Sequence, residues 1–133
     1  MSVETVTPDG WARGSGYAHG TTATGRIVCT AGQIGWDPRT RQIVSEDFAA
    51  QVDQALGNVM AVLAAAGAAA GDVARMTWYV TDRDAYTTSL SAIGEAWRRH
   101  LGRHYPAMSV VVVAALLEPR ALVEIEATAI IPA

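Results

Sequence analysis

The sequence predicts one α+β domain spanning residues 1–133, in which two helices pack on one face of a mixed β-sheet. Two observations support this fold class. Several short segments are rich in alternating or β-branched residues, which is typical of strands, and two longer segments carry apolar residues at helical spacing. These segments follow one another as β-β-β-α-β-α-β-β, an order that favours helices gathered on a single face of the sheet.

The composition excludes several classes of protein. Half of the residues are hydrophobic and 17% are charged, so the chain has the means to form a core and is not of the disordered type. So high an apolar fraction indicates a surface covered by further copies of the chain. All ten basic residues are arginine, and the absence of lysine excludes Schiff-base chemistry and pyridoxal phosphate. We expect no cofactor.

The charge pattern bears on partners and location. A net charge of −3 provides no basic surface for a phosphate backbone, so we expect no nucleic-acid partner. Glu4 and Asp9 stand where a signal peptide needs positive charge, and no apolar run approaches the ~20 residues of a membrane helix. We expect a soluble, cytoplasmic protein without a membrane partner. The single cysteine, Cys29, is expected to be a buried small hydrophobe.

The first third of the chain is expected to form strands. Residues 3–7 predict a short strand, followed by turn chemistry at Pro8-Asp9-Gly10. Residues 17–24 and 26–31 read as two strands that pair as a hairpin across Thr24-Gly25. Residues 35–40 then break the pattern as a loop.

A helix follows. Ser45 is its predicted N-cap, with Glu46 and Asp47 in the first turn, where acidic groups interact favourably with the helix dipole. Apolar residues then recur at helical spacing as far as Leu63, and Gly67 is the expected stop.

The second half alternates strand, helix, strand, strand. Residues 73–81 predict a strand, residues 84–101 a helix that contains Gly94 and ends at Gly102, and residues 121–130 the last strand. Residues 109–116 include four consecutive valines, which favours a strand covered on both faces. Two helices leave the other face of such a sheet uncovered, and a closed ring of subunits would cover it.

Three stretches together carry a family resemblance over essentially the whole chain. They are Gly16-Tyr17-Ala18-His19 with Ala31-Gly32-Gln33, the helix containing Gln51, Ala55, Leu56 and Asn58, and Tyr105-Pro106-Ala107 with Leu122-Val123-Glu124-Ile125-Glu126. In their order and spacing these stretches resemble the RidA/YjgF family of enamine and imine deaminases. The resemblance implies a chorismate-mutase-like homotrimer with a cleft between neighbouring subunits. Active members hydrolyse reactive enamines or imines, such as 2-aminoacrylate, to a keto acid and ammonia.

The same resemblance implies where this chain departs from the family. An arginine directly after Pro-Ala holds the substrate carboxylate in active members, and here that residue is Met108. A thioether offers neither charge nor hydrogen-bond donors, so the anchor is missing. Ala31 replaces a serine, and an asparagine often found in the second helix falls at Gly94. The family residues retained are Tyr17, Gly32, Gln33 and Glu124.

Glu124 and Tyr17 are the predicted catalytic residues. Glu124 matches the acidic position that orients or activates the attacking water. Alternatively, Glu124 and Glu126 merely alternate with apolar residues on a solvated strand face. Tyr17 is expected to donate a hydrogen bond to the ligand, or else to be an interface aromatic. His19 lies two residues further along the same face and is a candidate ligand contact or an ordinary polar residue.

Ala31, Gly32, Gln33, Trp36, Met108 and His19 are the predicted substrate-binding residues. Trp36 or Trp78 could stack on a flat substrate in an enlarged apolar cleft, although core packing is the favoured interpretation for Trp78. Arg120 is a possible substitute anchor that nothing in the spacing requires. We expect no metal site, because Gly102 interrupts the helical face that His100 and His104 would share.

Two functions remain open from the sequence. The first is hydrolysis of a small imine, enamine or related unsaturated metabolite by water addition, with specificity altered by the missing arginine. The second is a non-catalytic trimer that binds a small molecule in the same cleft. RNA cleavage fits poorly with the acidic charge and the absence of a basic stripe.

Overall fold

The fold is described from a computed structural model covering residues 3–133. The strands within this range are β1 (Glu4–Val6), β2 (Gly20–Thr22), β3 (Arg26–Cys29), β4 (Gln33–Ile34), β5 (Trp36–Asp37), β6 (Gln42–Ile43), β7 (Val73–Val80), β8 (Ala107–Val112) and β9 (Val123–Ile131). The helices are α1 (Phe48–Ala65), α2 (Arg83–Thr88) and α3 (Leu90–Leu101), with a single 3₁₀ turn at Ala70–Asp72.

The central sheet has the strand order β3-β9-β7-β8, with β4 also paired to β9. Strands β7 and β8 run parallel and the other pairs are antiparallel, which confirms the predicted mixed α+β sheet. Along β9, Val123, Ile125, Ala127 and Ala129 are buried against α1, while the residues between them point the other way. The sheet therefore has a helix face, which holds the core, and an open face without helices.

Helix α1 follows the predicted stripe but begins later than expected. Asp47, not Ser45, is the N-cap, and its carboxylate accepts a hydrogen bond from Ala50 N at 2.9 Å. Ser45 instead accepts from Asp47 N through its hydroxyl, so it stabilises the turn that precedes the cap. Gly67 adopts a φ of 88° just beyond the helix, which confirms it as the stop.

The predicted second helix is two helices. The chain leaves helical geometry at Ser89, with φ −107° and ψ 13°, so α2 and α3 are separate. Gly94 lies inside α3 without breaking it, and Gly102, with a φ of 64°, follows the last helical residue as predicted.

The pairing predicted for the N-terminal strands is wrong. Strand β2 pairs with β1, whereas β3 pairs with β9, so no hairpin crosses Thr24-Gly25. Gly25, with a φ of 153°, occupies a conformation that side chains disfavour and allows the chain to leave one sheet and enter the other. The predicted loop at residues 35–40 also contains structure, because β5 pairs with β6 in a small hairpin.

Strand β8 is an edge strand and not a strand covered on both faces. Val111 and Val112 are 41% and 52% exposed. Cys29 is exposed as well, contrary to its predicted burial, and in register with Thr128 it lies on the open face. Within residues 3–133, every helix is too short or too polar to cross a membrane.

Candidate functional site

Glu124 lies on the open face at the centre of the sheet, directly opposite Tyr79 on β7. Glu126 is opposite Thr77 on the same face, so two carboxylates line this part of β9. Partial burial raises the pKa of the Tyr79 phenol, and the charges of Glu126 and Glu124 raise it further. Tyr79 therefore remains a neutral hydroxyl donor beside the two acids.

A β-bulge places Gly32 against the Glu124 side chain. Between the paired positions Cys29–Thr128 and Gln33–Ile125, the β3–β4 segment has one residue more than β9. Thr30 closes the bulge, because its N–H donates to Ala127 O at 2.9 Å and its hydroxyl accepts from Ala127 N at 3.0 Å. A Cβ built on Gly32 would lie 2.6 Å from Glu124 Cδ, so a larger residue at 32 would require the carboxylate to move from this position.

Two buried amides of α1 hold this segment in place. Asn58 donates to Ile34 O at 3.1 Å and to Trp36 O at 2.9 Å. Gln51 donates to Arg120 O at 3.1 Å and accepts from Leu122 N at 2.8 Å. The helix thus fixes both β4, which follows Gly32, and the start of β9, which carries Glu124.

Four other candidate residues, Gln33, Ala31, Trp36 and Arg120, belong to β4, β5 and the loops before β4 and β9. Gln33 donates from its side-chain amide to Ala31 O at 3.3 Å, and Ala31 itself is exposed. Trp36 is half-buried on β5 and lines neither of the two cavities described below. Arg120 is exposed and borders a separate shallow depression with Glu46, Pro119 and Leu122.

Tyr17 and Met108 belong to a second group of residues, around a cavity of about 840 Å³ that includes residues of α3 and β8. Its aromatic lining residues are Tyr17, Trp78, Tyr86, Trp97 and Tyr105, and we call it the aromatic cavity. The segment carrying Tyr17 runs beside β8, because Ala18 N donates to Pro106 O at 3.0 Å. Met108 pairs in register with Met76, whose side chain is in the core, so Met108 faces the helix side.

The walls of the aromatic cavity are held by ring contacts. Trp97 stacks on Tyr105 with a centroid separation of 6.0 Å and an interplanar angle of 7°. Trp78 contacts both Trp97, at 6.3 Å, and the edge of Tyr86, at 6.2 Å. Trp97 Nε1 also donates to His104 O at 3.0 Å. Edge-to-face and stacked contacts of this kind stabilise the packing of the lining residues beyond the burial of their area.

His19 lies in a neighbouring cavity of about 680 Å³, which it shares with Tyr17, Arg13 and Arg103. Its Nε2 hydrogen-bonds Ala12 O at 2.7 Å, and its ring meets Trp11 and Tyr17 edge-on. His19 does not line the aromatic cavity.

The other two histidines have structural partners. His100 pairs with Asp53 at 2.8 Å, and His104 hydrogen-bonds Val73 O at 2.6 Å. Across the described residues, no three His, Cys, Asp or Glu side chains form a group suited to a metal ion.

One chain does not bring Glu124 and Tyr17 together. Glu124 is on the open face of β9, whereas Tyr17 lies beside β8, beyond β7, in a cavity formed on the helix side. Trp97, Arg98 and Tyr105 also line the aromatic cavity and were not predicted from the sequence as site residues. The recurrence of Leu90, Gly94 and Arg98 every four residues was the available signal, because that spacing puts all three on one helix face.

Comparisons with known proteins agree over nearly the whole chain. A family model described as Endoribonuclease L-PSP matches residues 12–131. The 2-iminobutanoate/2-iminopropanoate deaminase of Salmonella typhimurium is 41% identical over 107 residues, and that of Escherichia coli strain K12 is 38% identical; the matches cover 80% of this chain and of each relative.

Solved structures show the same fold. YyfB of Yersinia pestis, a Rid family protein, superposes with a TM-score of 0.87 at 32% identity, covering 98% of this chain and 100% of the other. The YjgF gene product of Escherichia coli gives a TM-score of 0.71 at 33% identity, covering 96% and 98%.

Proposed function

Because this chain belongs to the Endoribonuclease L-PSP family, which includes the RidA proteins, we propose that it hydrolyses a small imine or enamine to a carbonyl compound and ammonia. The observation that carries the proposal is the placement of the Glu124 carboxylate against the Gly32 backbone on an open sheet face. The names of relatives at 38–41% identity support the reaction type.

The proposed active site is completed by a neighbouring chain. Glu124 and Tyr17 are on different faces of one subunit, so a cleft containing both needs a second copy. The open face supplies a reason to associate, because Ile27 is 65% and Val111 41% exposed there. A cyclic homotrimer would cover this face and set Glu124 of one subunit opposite the aromatic cavity of the next.

Water addition in this cleft is acid–base chemistry. The Glu124 carboxylate takes a proton from water as the water oxygen attacks the imine carbon. It donates that proton to the nitrogen, to which the C=N electron pair has moved, and a carbinolamine results. Glu124 then takes the proton of the carbinolamine hydroxyl and passes it to the nitrogen, so that the carbonyl forms as the C–N bond breaks and ammonia leaves. An enamine is first protonated at carbon, which gives the iminium form, and water then adds to that form in the same way. The Tyr17 hydroxyl and the Gly32 backbone orient the substrate.

Met108 alters the specificity expected of the site. The family resemblance places there an arginine that holds the substrate carboxylate, and a thioether cannot replace its paired donors. We therefore expect this protein to turn over 2-iminopropanoate and 2-iminobutanoate more slowly than the relatives named for them. We also expect it to turn over imines with larger apolar groups faster than it turns over these two small imines.

The test measures keto-acid and ammonia release from freshly generated imines by the wild type, Glu124→Gln and the matched control Glu126→Gln. We expect Glu124→Gln to lower kcat by about 10²-fold or more, the usual contribution of a general acid–base group, and Glu126→Gln to retain activity. Undiminished hydrolysis by Glu124→Gln would overturn the mechanism. If the wild type turns over no imine and yet a ligand stabilises the trimer, the chain is a binding protein.

A further inference from the structure

The aromatic cavity is lined by an arginine that has no role in the proposed acid–base chemistry. Arg98, on α3, lines the cavity together with Met108, and it is the one charged side chain among the described residues that do so. Adjacent Arg99 is paired with Asp53 at 3.0 Å, but no acidic partner lies within 4 Å of Arg98 in residues 3–133. The Arg98 guanidinium is therefore available to a ligand.

Gly94 leaves room for this guanidinium beside the helix. A Cβ built on Gly94 would lie 3.4 Å from Arg98 Nη1, so the side chain folds back over the preceding turn, where Leu90 and Ile93 also border the cavity. The absence of a side chain at residue 94 keeps the space beside the guanidinium open. The charge is thus held at the rim of an otherwise apolar and aromatic cavity.

A second polar group, on a residue that lines the same cavity, also lacks a partner. Trp78 is fully buried, and its Nε1 is the one buried side-chain nitrogen or oxygen without a hydrogen-bond partner among the described residues. An indole N–H can only donate, so a group that satisfies it must be an acceptor. The Trp78 N–H has less than 1 Å² of accessible surface and is out of a ligand's reach, so the preference for an anionic ligand comes from Arg98.

The dimensions and walls indicate the rest of the ligand. A cavity of about 840 Å³ is far larger than a three- or four-carbon acid requires. Tyr17 and Tyr105 are 40% and 37% exposed and offer ring surface to a planar ligand, and Tyr105 is backed by the buried ring of Trp97 stacked on it. Met108 adds a polarisable thioether to the same wall.

We propose that Arg98 binds the carboxylate of an aryl-substituted acid, whose ring occupies the aromatic cavity, so that the preferred substrate class is aromatic 2-imino acids. The proposal rests on the proposed function only for the hydrolysis that follows binding. The anchoring charge would come from the helix, four residues after Gly94, and not from strand β8. The substrate keeps its carboxylate, and the altered specificity concerns the group attached to it.

Binding is tested with stable compounds that cannot be hydrolysed as imines. The probes are 3-phenylpropanoate, its uncharged amide 3-phenylpropanamide, and propanoate, titrated by calorimetry and tryptophan fluorescence. We expect the aryl acid to bind at least tenfold more tightly than either other probe. Arg98→Gln should remove most of that preference, since a hydrogen bond to a charged group contributes about a tenfold to hundredfold change in affinity. Arg98→Lys should restore part of it.

Arg83→Gln is the matched control, because it removes the same charge from an exposed helical position that does not line the cavity. Equal affinities for the acid and the amide in the wild type would overturn the proposal, as would unchanged acid binding by Arg98→Gln. If binding of the acid depends on Arg98 but no imine is turned over, Arg98 is confirmed as the carboxylate anchor and the deaminase function is rejected. If the wild type and Arg98→Gln both hydrolyse small imines and neither prefers aryl acids, the deaminase function stands and the Arg98 proposal is rejected.

Discussion

The Glu124 carboxylate lies directly against Gly32, where a Cβ would come within 2.6 Å of Glu124 Cδ and Oε2. The two residues are 92 positions apart in the numbering and meet because β4 and the bulge before it pair with β9. The carboxylate therefore has a fixed place on the backbone of a neighbouring strand.

Gly32→Ala should impair the chemistry more than the fold. The added methyl group displaces the carboxylate, and a misplacement of ~1 Å can cost about 10²-fold in rate. The rate of imine hydrolysis and the melting temperature are both measured for each variant. Gly71→Ala is the control, because a Cβ there meets open space. Full activity in Gly32→Ala would show that the Gly32–Glu124 contact is unimportant.

Gly94→Ala should stabilise the protein. Gly94 is inside α3 with an ordinary φ, and an alanine Cβ would touch only Arg98 Nη1 at 3.4 Å. Alanine in a helix interior is favoured over glycine by about 0.5–1 kcal/mol. Urea unfolding should show a gain of that size, and a loss would mean that the Arg98 guanidinium has no room to adjust.

Asn58→Ala should destabilise the fold. It leaves the carbonyls of Ile34 and Trp36 without their buried donor, and each unsatisfied group costs about 1–3 kcal/mol. Denaturant unfolding measures the loss, with exposed Gln42→Ala as the control. Stability equal to that of the wild type would mean that water replaces the amide.

Asp53→Asn should remove a pH-dependent contribution to stability. Burial alone would raise the pKa of Asp53, but the hydrogen bonds and charges of His100 and Arg99 outweigh it and hold the pKa below its ordinary value of 3.8. The folded pKa is the lower one, so this contribution is full above pH 3.8 and is lost as the pH falls through the folded pKa.

The free energies of unfolding of wild type and Asp53→Asn should accordingly differ near neutral pH and converge in acid. Urea titrations across the pH range provide the measurement. Asp9→Asn, in an exposed turn, is the matched control for the loss of one carboxylate. A difference between wild type and Asp53→Asn that persists unchanged in strong acid would contradict the assigned ion pairs.

The native mass should be three times that of the 14.0 kDa chain. Val111→Asp, on the open face, should dissociate the assembly and abolish imine hydrolysis together, because the cleft needs two chains. Light scattering and activity on the same samples provide the test. A monomeric wild type that is fully active would reject the inter-subunit site.

Local features of the fold were predictable where the sequence pattern is itself local. The alternation of Met76, Trp78 and Val80 with polar residues predicted β7, and Gly67 predicted the end of α1. The predicted partner of β3 was wrong because pairing depends on residues about a hundred positions away, which local periodicity does not report. Four valines predicted a covered strand, yet β8 is at an edge of the sheet.

By itself, the sequence determined the α+β class, the family resemblance and Glu124 as the acid to consider, because each depends on residue types at short, fixed spacing. Only the tertiary structure decided that Glu124 rests on Gly32, that Tyr17 lies elsewhere, and that Arg98 shares a cavity with Met108. The physical reason is that these relationships arise from the packing of α3 and β9 against the sheet, which brings together side chains that no sequence interval connects.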